Sequence, residues 1–509
     1  MSQPEKGFVY LVGAGPGRAD LITLRGAELI RIADCILCDK LANPALLEHA
    51  RPDAEIVYVP KRIGAGSFTQ DQINQLLVRK ALEGKVVVRL KGGDPCIFGR
   101  VTEEVVALNK AGVGFEIVPG VTAALAAAEY TGIMLTDRRY SSQVAFITGR
   151  EADGKEDTNI DWDVLARFPG TLVFYMGIGA LGRIVERLTA HGRAAETPVA
   201  LVADATLPSQ QVVRAPLGAI VDACQKAKIE PPALIIVGAA AGGDEALNWF
   251  MRQPLFGKTI VTTRDAAGNA EFAKKIRDRG ARPIEFVTMA IQPLTDSNQF
   301  LRALTHLADY HWVIFTSPNG VKVFFDAMTA LGKDSRVFAA NKLATLGAKT
   351  AAALAKYGIK ADLVPTVFTG RELGWQLVAF ANLRGKKVLS LRSELATDDL
   401  VDVLLKGGAV VEDVPLYTAV PKTGDPEALR RQIEDGRINW LTFASPSAAR
   451  NFFDAIAAGV VNASRAKVAS IGPVTSEQLK KLGVRVDLTA SEYTTDGLLD
   501  AIEAAERPA

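Results

Sequence analysis

The stretch RLKGGDPCIFGR, residues 89–100, places two glycines, an aspartate and a proline after an apolar run that predicts a buried strand. Glycines after a strand remove every Cβ, so a flat ligand can lie against bare backbone and bind its N–H and C=O groups. Asp94 adds an acceptor suited to ribose hydroxyls or a sulfonium-bearing nucleoside, and Pro95 delays the next helix. The alternative interpretation is a tight structural turn with a solvated aspartate.

A second glycine-rich turn, residues 13–17, follows the strand-like run FVYLV. Its spacing is G-x-G-x-G with a proline inside, whereas the dinucleotide fingerprint is G-x-G-x-x-G and opens a helix at the turn. Here the next helix is predicted to begin after Thr23, which can cap it. Because the acidic Asp39 ends the next strand, a nicotinamide cofactor remains an alternative.

Metal ligands are not indicated. Cys35 and Cys38 form a C-x-x-C, but a strand points the two side chains to opposite faces, and no second C-x-x-C accompanies them. The four histidines make no ligand pattern. Buried structural thiols and no metal are therefore predicted.

Composition limits the partners. A chain of 509 residues with 48% hydrophobic and 23% charged residues predicts three or four globular domains, and a net charge of +2 gives no basic surface for nucleic acid. The N-terminus shows no signal-peptide pattern, and the longest apolar stretch, residues 120–135, is interrupted and too short to span a bilayer. We expect a cytoplasmic protein with neither nucleic-acid nor membrane partners.

Strand-like runs alternate with amphipathic segments throughout, which predicts the α/β class. Several end in Gly or Asp, as is typical of parallel strands that lead into a binding loop. The runs in the first half are FVYLVGAG, CILCD, VVVRLKGGD, FEIVPG, VAFITG, TLVFYMG, PVALVADA and ALIIVGA. A boundary is predicted near residue 250.

The second half contains an internal repeat. WVIFTSPNGVKVFFDAM from Trp312 matches WLTFASPSAARNFFDAI from Trp440, an offset of 128 (440 minus 312). GKTIVTTR from Gly257 matches GKKVLSLR from Gly385 at the same offset. Two repeats are too few for a solenoid, so two related lobes facing across a cleft are predicted.

Five segments of the first half resemble the uroporphyrinogen-III C-methyltransferases of the tetrapyrrole methylase family, over about residues 7–245. They are VYLVGAGPG, RLKGGDPCIFGR, EIVPGVTAALAAAEYTGIMLT, TLVFYMG and PALIIVG. The resemblance implies two α/β domains, divided near residue 119, with S-adenosylmethionine in the cleft between them, and usually a homodimer.

The resemblance also implies site residues. Asp39 and Lys61 match the family's proton acceptor and donor, and Ala205 replaces a usual glycine. The positions that match methyl-donor contacts are Pro16, Gly92, Gly93, Asp94, Ile97, Thr122, Ala123, Met176 and Ala205.

The implied substrate carries eight carboxylates, which require fixed cations. Arg100 and Arg138 fit that need, because guanidinium groups bind carboxylates bidentately. Glu103 could orient an arginine or bond a pyrrole N–H. Asp137 stands where relatives commonly have histidine.

Segments of the second half resemble uroporphyrinogen-III synthase over about residues 256–505; they are FTSPNG, FASPSA, SIGPVTSEQLKKLG and SEYTTDGLLDAI. The resemblance implies a synthase domain over residues 251–509. One lobe would comprise about 257–292 plus 420–505 and the other about 293–419, joined by a two-stranded linker.

That family closes linear hydroxymethylbilane with loss of water, which requires folding of the substrate and directed closure. Hydroxyl and guanidinium groups at strand ends suit this work; the candidates are Thr263, Arg264, Ser317, Arg392, Ser445 and Thr475. Tyr417 aligns with Met289 at offset 128, and its phenol could protonate the departing hydroxyl. An ordinary half-buried strand tyrosine is the alternative.

The sequence thus predicts a bifunctional enzyme that cyclises hydroxymethylbilane to uroporphyrinogen III and methylates it twice to precorrin-2, for sirohaem or cobalamin biosynthesis. One alternative is a family methylase that acts on a later intermediate. Another is that the second half is a two-lobed binding module without cyclase activity.

Overall fold

The structure, a computed structural model, contains four five-stranded sheets with flanking helices, which confirms the α/β class. It describes residues 7–59, 68–149, 159–421 and 424–507. The chain divides into two compact units, which comprise residues 1–258, 276–282 and 506–509, and residues 259–275 and 283–505. Among the described residues, no helix is both long and apolar enough to cross a bilayer.

The first sheet is entirely parallel. Its strands are β1 (Phe8–Gly13), β2 (Cys35–Cys38), β3 (Glu55–Tyr58), β4 (Val86–Lys91) and β5 (Gly114–Val118). Its helices are α1 (Leu24–Ile32), α2 (Gln70–Leu82) and α3 (Val101–Lys110). The strand order is β3-β2-β4-β1-β5, with α2 and α3 packed on one face and α1 on the other.

Local sequence signals explain these elements. Thr23 caps α1 as predicted, since its side chain accepts a hydrogen bond from Gly26 N at 3.1 Å. The alternation of β2 places Cys35 in the core beneath α2 and Cys38 in the core beneath α1. The two thiols therefore face opposite ways, which confirms the structural interpretation of the C-x-x-C.

The second sheet is mostly antiparallel. Its elements are α4 (Ala123–Thr131), β6 (Val144–Thr148), α5 (Trp162–Arg167), β7 (Thr171–Tyr175), α6 (Leu181–Ala190), β8 (Pro198–Ala203), β9 (Gln211–Pro216), α7 (Ile220–Ala227) and β10 (Ala233–Val237). In the order β6-β7-β10-β8-β9, only β6 and β7 pair in parallel. The parallel arrangement expected from Gly or Asp at strand ends is therefore wrong for this sheet. The short β8–β9 loop explains part of it, because neighbouring strands joined so closely pair antiparallel.

The remaining sheets form two lobes. The discontinuous lobe (259–285 and 424–506) contains β11 (Thr259–Thr262), α8 (Ala266–Asp278), β12 (Arg282–Glu285), α14 (Pro426–Glu434), β18 (Trp440–Phe443), α15 (Pro446–Ala455), α16 (Ala458–Ala463), β19 (Lys467–Ser470), α17 (Pro473–Lys481), β20 (Leu488–Thr489) and α18 (Thr495–Glu506). The continuous lobe (289–421) contains β13 (Met289–Pro293), α9 (Asn298–Thr305), β14 (Trp312–Phe315), α10 (Pro318–Ala330), β15 (Lys342–Thr345), α11 (Ala348–Ala355), α12 (Gly370–Phe380), β16 (Lys387–Ser393), α13 (Asp399–Lys406) and β17 (Val410–Pro421).

The two lobes repeat each other in four strands, since β12, β11, β18 and β19 of one correspond to β17, β16, β14 and β15 of the other. Their strand orders are β12-β11-β18-β19-β20 and β13-β17-β16-β14-β15. Ile260 pairs with Trp440 in one lobe, and Val388 pairs with Trp312 in the other, so the offset of 128 preserves the register. β13 and the end of β17 pair antiparallel, and β13 leads the chain into the continuous lobe.

Candidate functional site

Three glycines, Gly13, Gly93 and Gly120, meet at the carboxyl ends of β1, β4 and β5; we refer to them as the glycine floor. A Cβ on Gly120 would lie 2.3 Å from Gly93 O and 2.7 Å from Gly13 Cα, so these backbones touch. Gly93 N donates to Gly15 O at 2.9 Å. Gly93 has φ +70°, and a Cβ there would have no neighbour nearer than Ala123 N at 3.8 Å. Backbone is therefore bare and accessible at Gly93.

Asp94 fastens the two turns beside the floor. Its Oδ1 accepts from Cys96 N at 2.8 Å and its Oδ2 from Gly120 N at 3.0 Å. Both Asp94 oxygens, which were predicted to bind a ribose, therefore already accept hydrogen bonds from backbone N–H groups. Each oxygen retains a further lone pair that could accept another. Asp94 consequently shapes the turn and can bind a ligand only in addition.

The start of α4 is tied to the end of β7. Thr122 Oγ1 lies 2.8 Å from the hydroxyl of Tyr175, which also accepts from Ala124 N at 3.2 Å. Burial raises the pKa of Tyr175 above its ordinary value, so the phenol stays protonated. The next residue, Met176, has φ +55° and is 54% exposed. Such a left-handed conformation in a non-glycine residue is held by its surroundings.

Thr206 connects the loop after β8 to the loop after β1. Its hydroxyl donates to Pro16 O at 2.5 Å and accepts from Arg18 N at 2.9 Å. Asp204 and Thr206 have φ values of +48° and +73°, but Ala205 between them is not among the residues with positive φ. The alanine in place of the family's glycine therefore causes no left-handed strain.

These contacts bring the predicted methyl-donor residues to one set of strand ends, where α/β sheets commonly bind ligands. Ile97, Ala123 and Ala205 pack on one apolar cluster. Gly92 and Gly93 continue β4, and Pro16 follows β1. Asp39 follows β2 and accepts from Arg89 Nη2 at 2.5 Å. Lys61 lies outside the described residues.

The predicted substrate cations differ in their environment. Arg100 donates from Nε and Nη2 to the two carboxylate oxygens of Glu103, both at 2.6 Å, and so is oriented by it. Arg138 is exposed, and within the described part of the chain it has no hydrogen-bond or ion-pair partner. The neighbouring Arg139 instead pairs with Asp137 and lowers the pKa of that carboxyl to about 2. Arg138 is thus available to an anionic ligand.

Equivalent serines cap equivalent helices in the two lobes. Ser317 Oγ accepts from Gly320 N at 2.9 Å and lies 2.8 Å from the hydroxyl of Tyr417. Ser445 Oγ accepts from Ala448 N at 3.1 Å. The buried Tyr417 therefore has a polar partner at a strand end, rather than standing alone in the core.

The other predicted synthase residues lie deeper. Thr263 is buried and donates to Thr442 O at 2.7 Å. Its hydroxyl proton is therefore used in a hydrogen bond within the lobe and is not free for a ligand. Thr475 is buried in the first turn of α17. Arg264 is partly exposed, whereas Arg392 bonds both oxygens of Asp413 at 2.8 Å. Of these four side chains, Arg264 is the one with most freedom to meet a ligand.

Comparison with known proteins identifies both halves. Residues 9–221 match the Tetrapyrrole (Corrin/Porphyrin) Methylases, and residues 270–500 match Uroporphyrinogen-III synthase HemD. The Porphyrin biosynthesis protein HemD of Ruminiclostridium josui is 35% identical over 498 residues, which cover 98% of each chain. The chain belongs to the tetrapyrrole methylases, fused to a synthase of the HemD family.

Relatives of the methylase half alone are also similar. The Uroporphyrinogen-III C-methyltransferase of Priestia megaterium is 49% identical over 232 residues, which cover 46% of this chain and 97% of that protein. A solved structure of Uroporphyrin-III C-methyl transferase from Thermus thermophilus, complexed with S-adenyl homocysteine, is 39% identical. It covers 46% of this chain and 93% of that one, with a TM-score of 0.40.

The methylase half also contains charged residues that sequence reasoning missed. Arg89 and Lys91 are fully buried on one face of β4, where both bond Glu104 of α3. The signal was present, because two cations at alternate positions of an otherwise apolar strand must share one face. The neighbouring Glu103 drew attention instead, although it is exposed.

Proposed function

We propose that the chain is bifunctional. Residues 251–509 would cyclise hydroxymethylbilane to uroporphyrinogen III, and residues 1–250 would methylate that product twice with S-adenosylmethionine to give precorrin-2. The accessible backbone at Gly93, between strand ends tied together by side-chain hydrogen bonds, carries the proposal for methyl transfer. The names of the relatives support the substrate.

The methyl donor would lie against Gly93 and the first turn of α4, where Ala123 N has no hydrogen-bond acceptor among the described residues. S-adenosylmethionine supplies an electrophilic methyl group on its sulfonium, and a pyrrole carbon takes that methyl as the C–S bond breaks. The protein's task is to hold both reactants in line and to remove a ring proton. Asp39 is partly exposed at the end of β2 and can accept that proton, and Lys61 is proposed as the donor.

Substrate binding would use the cations around this edge. Arg138 can bind a carboxylate of uroporphyrinogen III directly, because no described residue neutralises it. Arg100 is pre-oriented by Glu103 and can bind a second carboxylate with its remaining N–H donors. As in the family, we propose a cytoplasmic homodimer formed through the methylase half.

In the synthase half, Tyr417 would protonate the hydroxyl that leaves hydroxymethylbilane. Ser317 supports this role, because its hydroxyl touches the phenol and its other hydrogen bond fixes it at the start of α10. Loss of water leaves a reactive cation equivalent, which the folded substrate closes on itself. Ser445, Thr263, Arg264 and Thr475 are proposed to shape the site that directs this closure.

The test is incubation of the full chain with hydroxymethylbilane and labelled S-adenosylmethionine, followed by mass analysis of the product. The expected product is uroporphyrinogen III carrying two labelled methyl groups. A parallel reaction supplies uroporphyrinogen III directly. Methylation only in the parallel reaction would show that the synthase half does not cyclise, and methylation in neither would contradict the whole proposal.

A further inference from the structure

Four charged side chains in the methylase half form one chain of alternating sign, Lys91–Glu104–Arg89–Asp39, which we call the buried quartet. Lys91 Nζ donates to Glu104 Oε2 at 2.7 Å, and Arg89 Nε donates to Glu104 Oε1 at 3.1 Å. Arg89 Nη2 then donates to Asp39 Oδ1 at 2.5 Å. Two cations and two anions balance, so the quartet carries no net charge.

The quartet leads from the interior to the surface. The side chains of Arg89 and Glu104 are 0% exposed and that of Lys91 is 1% exposed, whereas the Asp39 side chain is 19% exposed. Asp39 Oδ2 has no hydrogen-bond partner among the residues that the structure describes. One oxygen of Asp39 is therefore held from inside while the other is presented outward.

Arg89 is fixed on every side. Its Nη1 donates to the carbonyl oxygens of Leu37 and Leu90, each at 3.3 Å, while Glu104 holds Nε. All three nitrogens of this planar guanidinium are engaged, so its orientation is fixed. Because Nη2 donates to Asp39 Oδ1, the position of that oxygen is fixed as well. The Asp39 backbone is fixed too, since Asp39 N donates to Leu90 O at 3.0 Å, two residues before Gly92.

Burial of three charges, those of Lys91, Glu104 and Arg89, has no evident purpose for stability, because well-packed apolar residues often serve as well. A rigid mount for one partly exposed carboxylate, at the end of the strand next to β4, would account for them. We propose that Arg89, oriented by Glu104 and Lys91, is a positioning residue that sets the direction of the Asp39 carboxylate during methyl transfer. This inference rests on the proposed methyltransferase function and adds to it residues that act through Asp39.

The test is a double-mutant cycle in the full-length protein, with uroporphyrinogen III and S-adenosylmethionine as substrates. Arg89→Lys keeps the charge, but one ammonium cannot reproduce the fork between Glu104 and Asp39. We expect kcat to fall about tenfold or more, with KM for S-adenosylmethionine changed by less than about twofold. In an Asp39→Asn background the same substitution should change kcat by less than about twofold, because its target is already lost.

Arg193→Lys is the matched control, since among the described residues the Arg193 guanidinium donates to the carbonyl oxygens of Ala166 and Phe168 and to no carboxylate. It should leave kcat unchanged in both backgrounds. If Arg89→Lys does not fold, as judged by circular dichroism and thermal melting, Glu104→Gln combined with Lys91→Met replaces it. That pair preserves net charge and should show the same dependence on Asp39.

The outcomes separate the two proposals. If Arg89→Lys lowers kcat by the same factor with and without Asp39, the effect does not pass through Asp39 and the inference is wrong, while the methyltransferase function stands. Unchanged kcat in Arg89→Lys would also overturn it. If the wild-type protein does not methylate uroporphyrinogen III, the proposed function fails and the inference fails with it.

Discussion

Replacing Gly93 with alanine separates ligand binding from folding. At φ +70° an alanine costs about 1–2 kcal/mol of backbone strain. Its Cβ meets no atom closer than 3.8 Å, so no steric term adds to this cost. We expect Gly93→Ala to fold, with a melting temperature about 2–8 °C below that of the wild type.

We expect the same substitution to weaken ligand binding by more than it weakens folding. The added methyl group occupies the space through which a ligand would reach the backbone at Gly93. Gly93 N already donates to Gly15 O, so the groups left for a ligand there are the second lone pair of Gly93 O and the neighbouring Ala123 N. A ligand lifted off these two groups by the methyl loses about two hydrogen bonds, each contributing about 0.5–1.5 kcal/mol. The Kd for S-adenosylhomocysteine should therefore rise about tenfold to a hundredfold, measured by isothermal titration calorimetry.

Gly192→Ala is the matched control, because Gly192 has φ +95° and its Cβ would have no neighbour within 4 Å. It carries similar backbone strain in the same half and should bind S-adenosylhomocysteine like the wild type. Gly120→Ala should instead fail to fold, because its Cβ would lie 2.3 Å from Gly93 O. Wild-type affinity in a folded Gly93→Ala protein would refute a ligand lying on the glycine floor.

Three further results are expected. Tyr417→Phe should slow cyclisation of hydroxymethylbilane about 100-fold or more while methylation of supplied uroporphyrinogen III continues, and normal cyclisation would exclude the phenol as the acid. Arg138→Ala should raise KM for uroporphyrinogen III about tenfold with kcat unchanged, and an unchanged KM would show that this exposed guanidinium binds no carboxylate. Iodoacetamide at pH 8 should label Cys96, which is exposed, before Cys35 and Cys38, because burial raises the pKa of both thiols to about 11 and keeps them protonated. Peptide mass spectrometry reads the order, and equal labelling of all three would contradict it.

Central strands were predictable, and edge strands only in part, because the sequence identified the edge strands β5 and β6 but not the other two in the methylase half. Runs such as VVVRL are apolar on both faces because β4 lies inside a sheet covered by helices, and this gives a strong signal. Glu55–Tyr58 and Gln211–Pro216 were missed, since both lie at sheet edges and are only partly buried. The repeat predicted equivalent strands because an unchanged offset requires an unchanged register.

In the candidate site, too, some features were predictable from the sequence and others were not. Turn glycines and the Thr23 cap act through their immediate neighbours in sequence, so local patterns identified them. The contacts from Thr206 to Pro16 and from Arg89 to Glu104 join residues 190 and 15 positions apart, and they depend on the packing of whole elements. The resemblance supplied Asp39 but not the side chains that hold it, because a motif records residues and not their supports.

The different threading of the two lobes has a consequence during synthesis of the chain. In the continuous lobe, the paired residues Trp312 and Val388 are 76 positions apart (388 minus 312), and the sheet is complete once β17, which ends at Pro421, has been synthesised. In the discontinuous lobe, Ile260 must wait for Trp440, 180 residues later (440 minus 260). The lobe that begins second can therefore finish first, and β11, α8 and β12 would emerge as a fragment without β18, β19 and β20, whose exposed apolar surface is a natural target for chaperones.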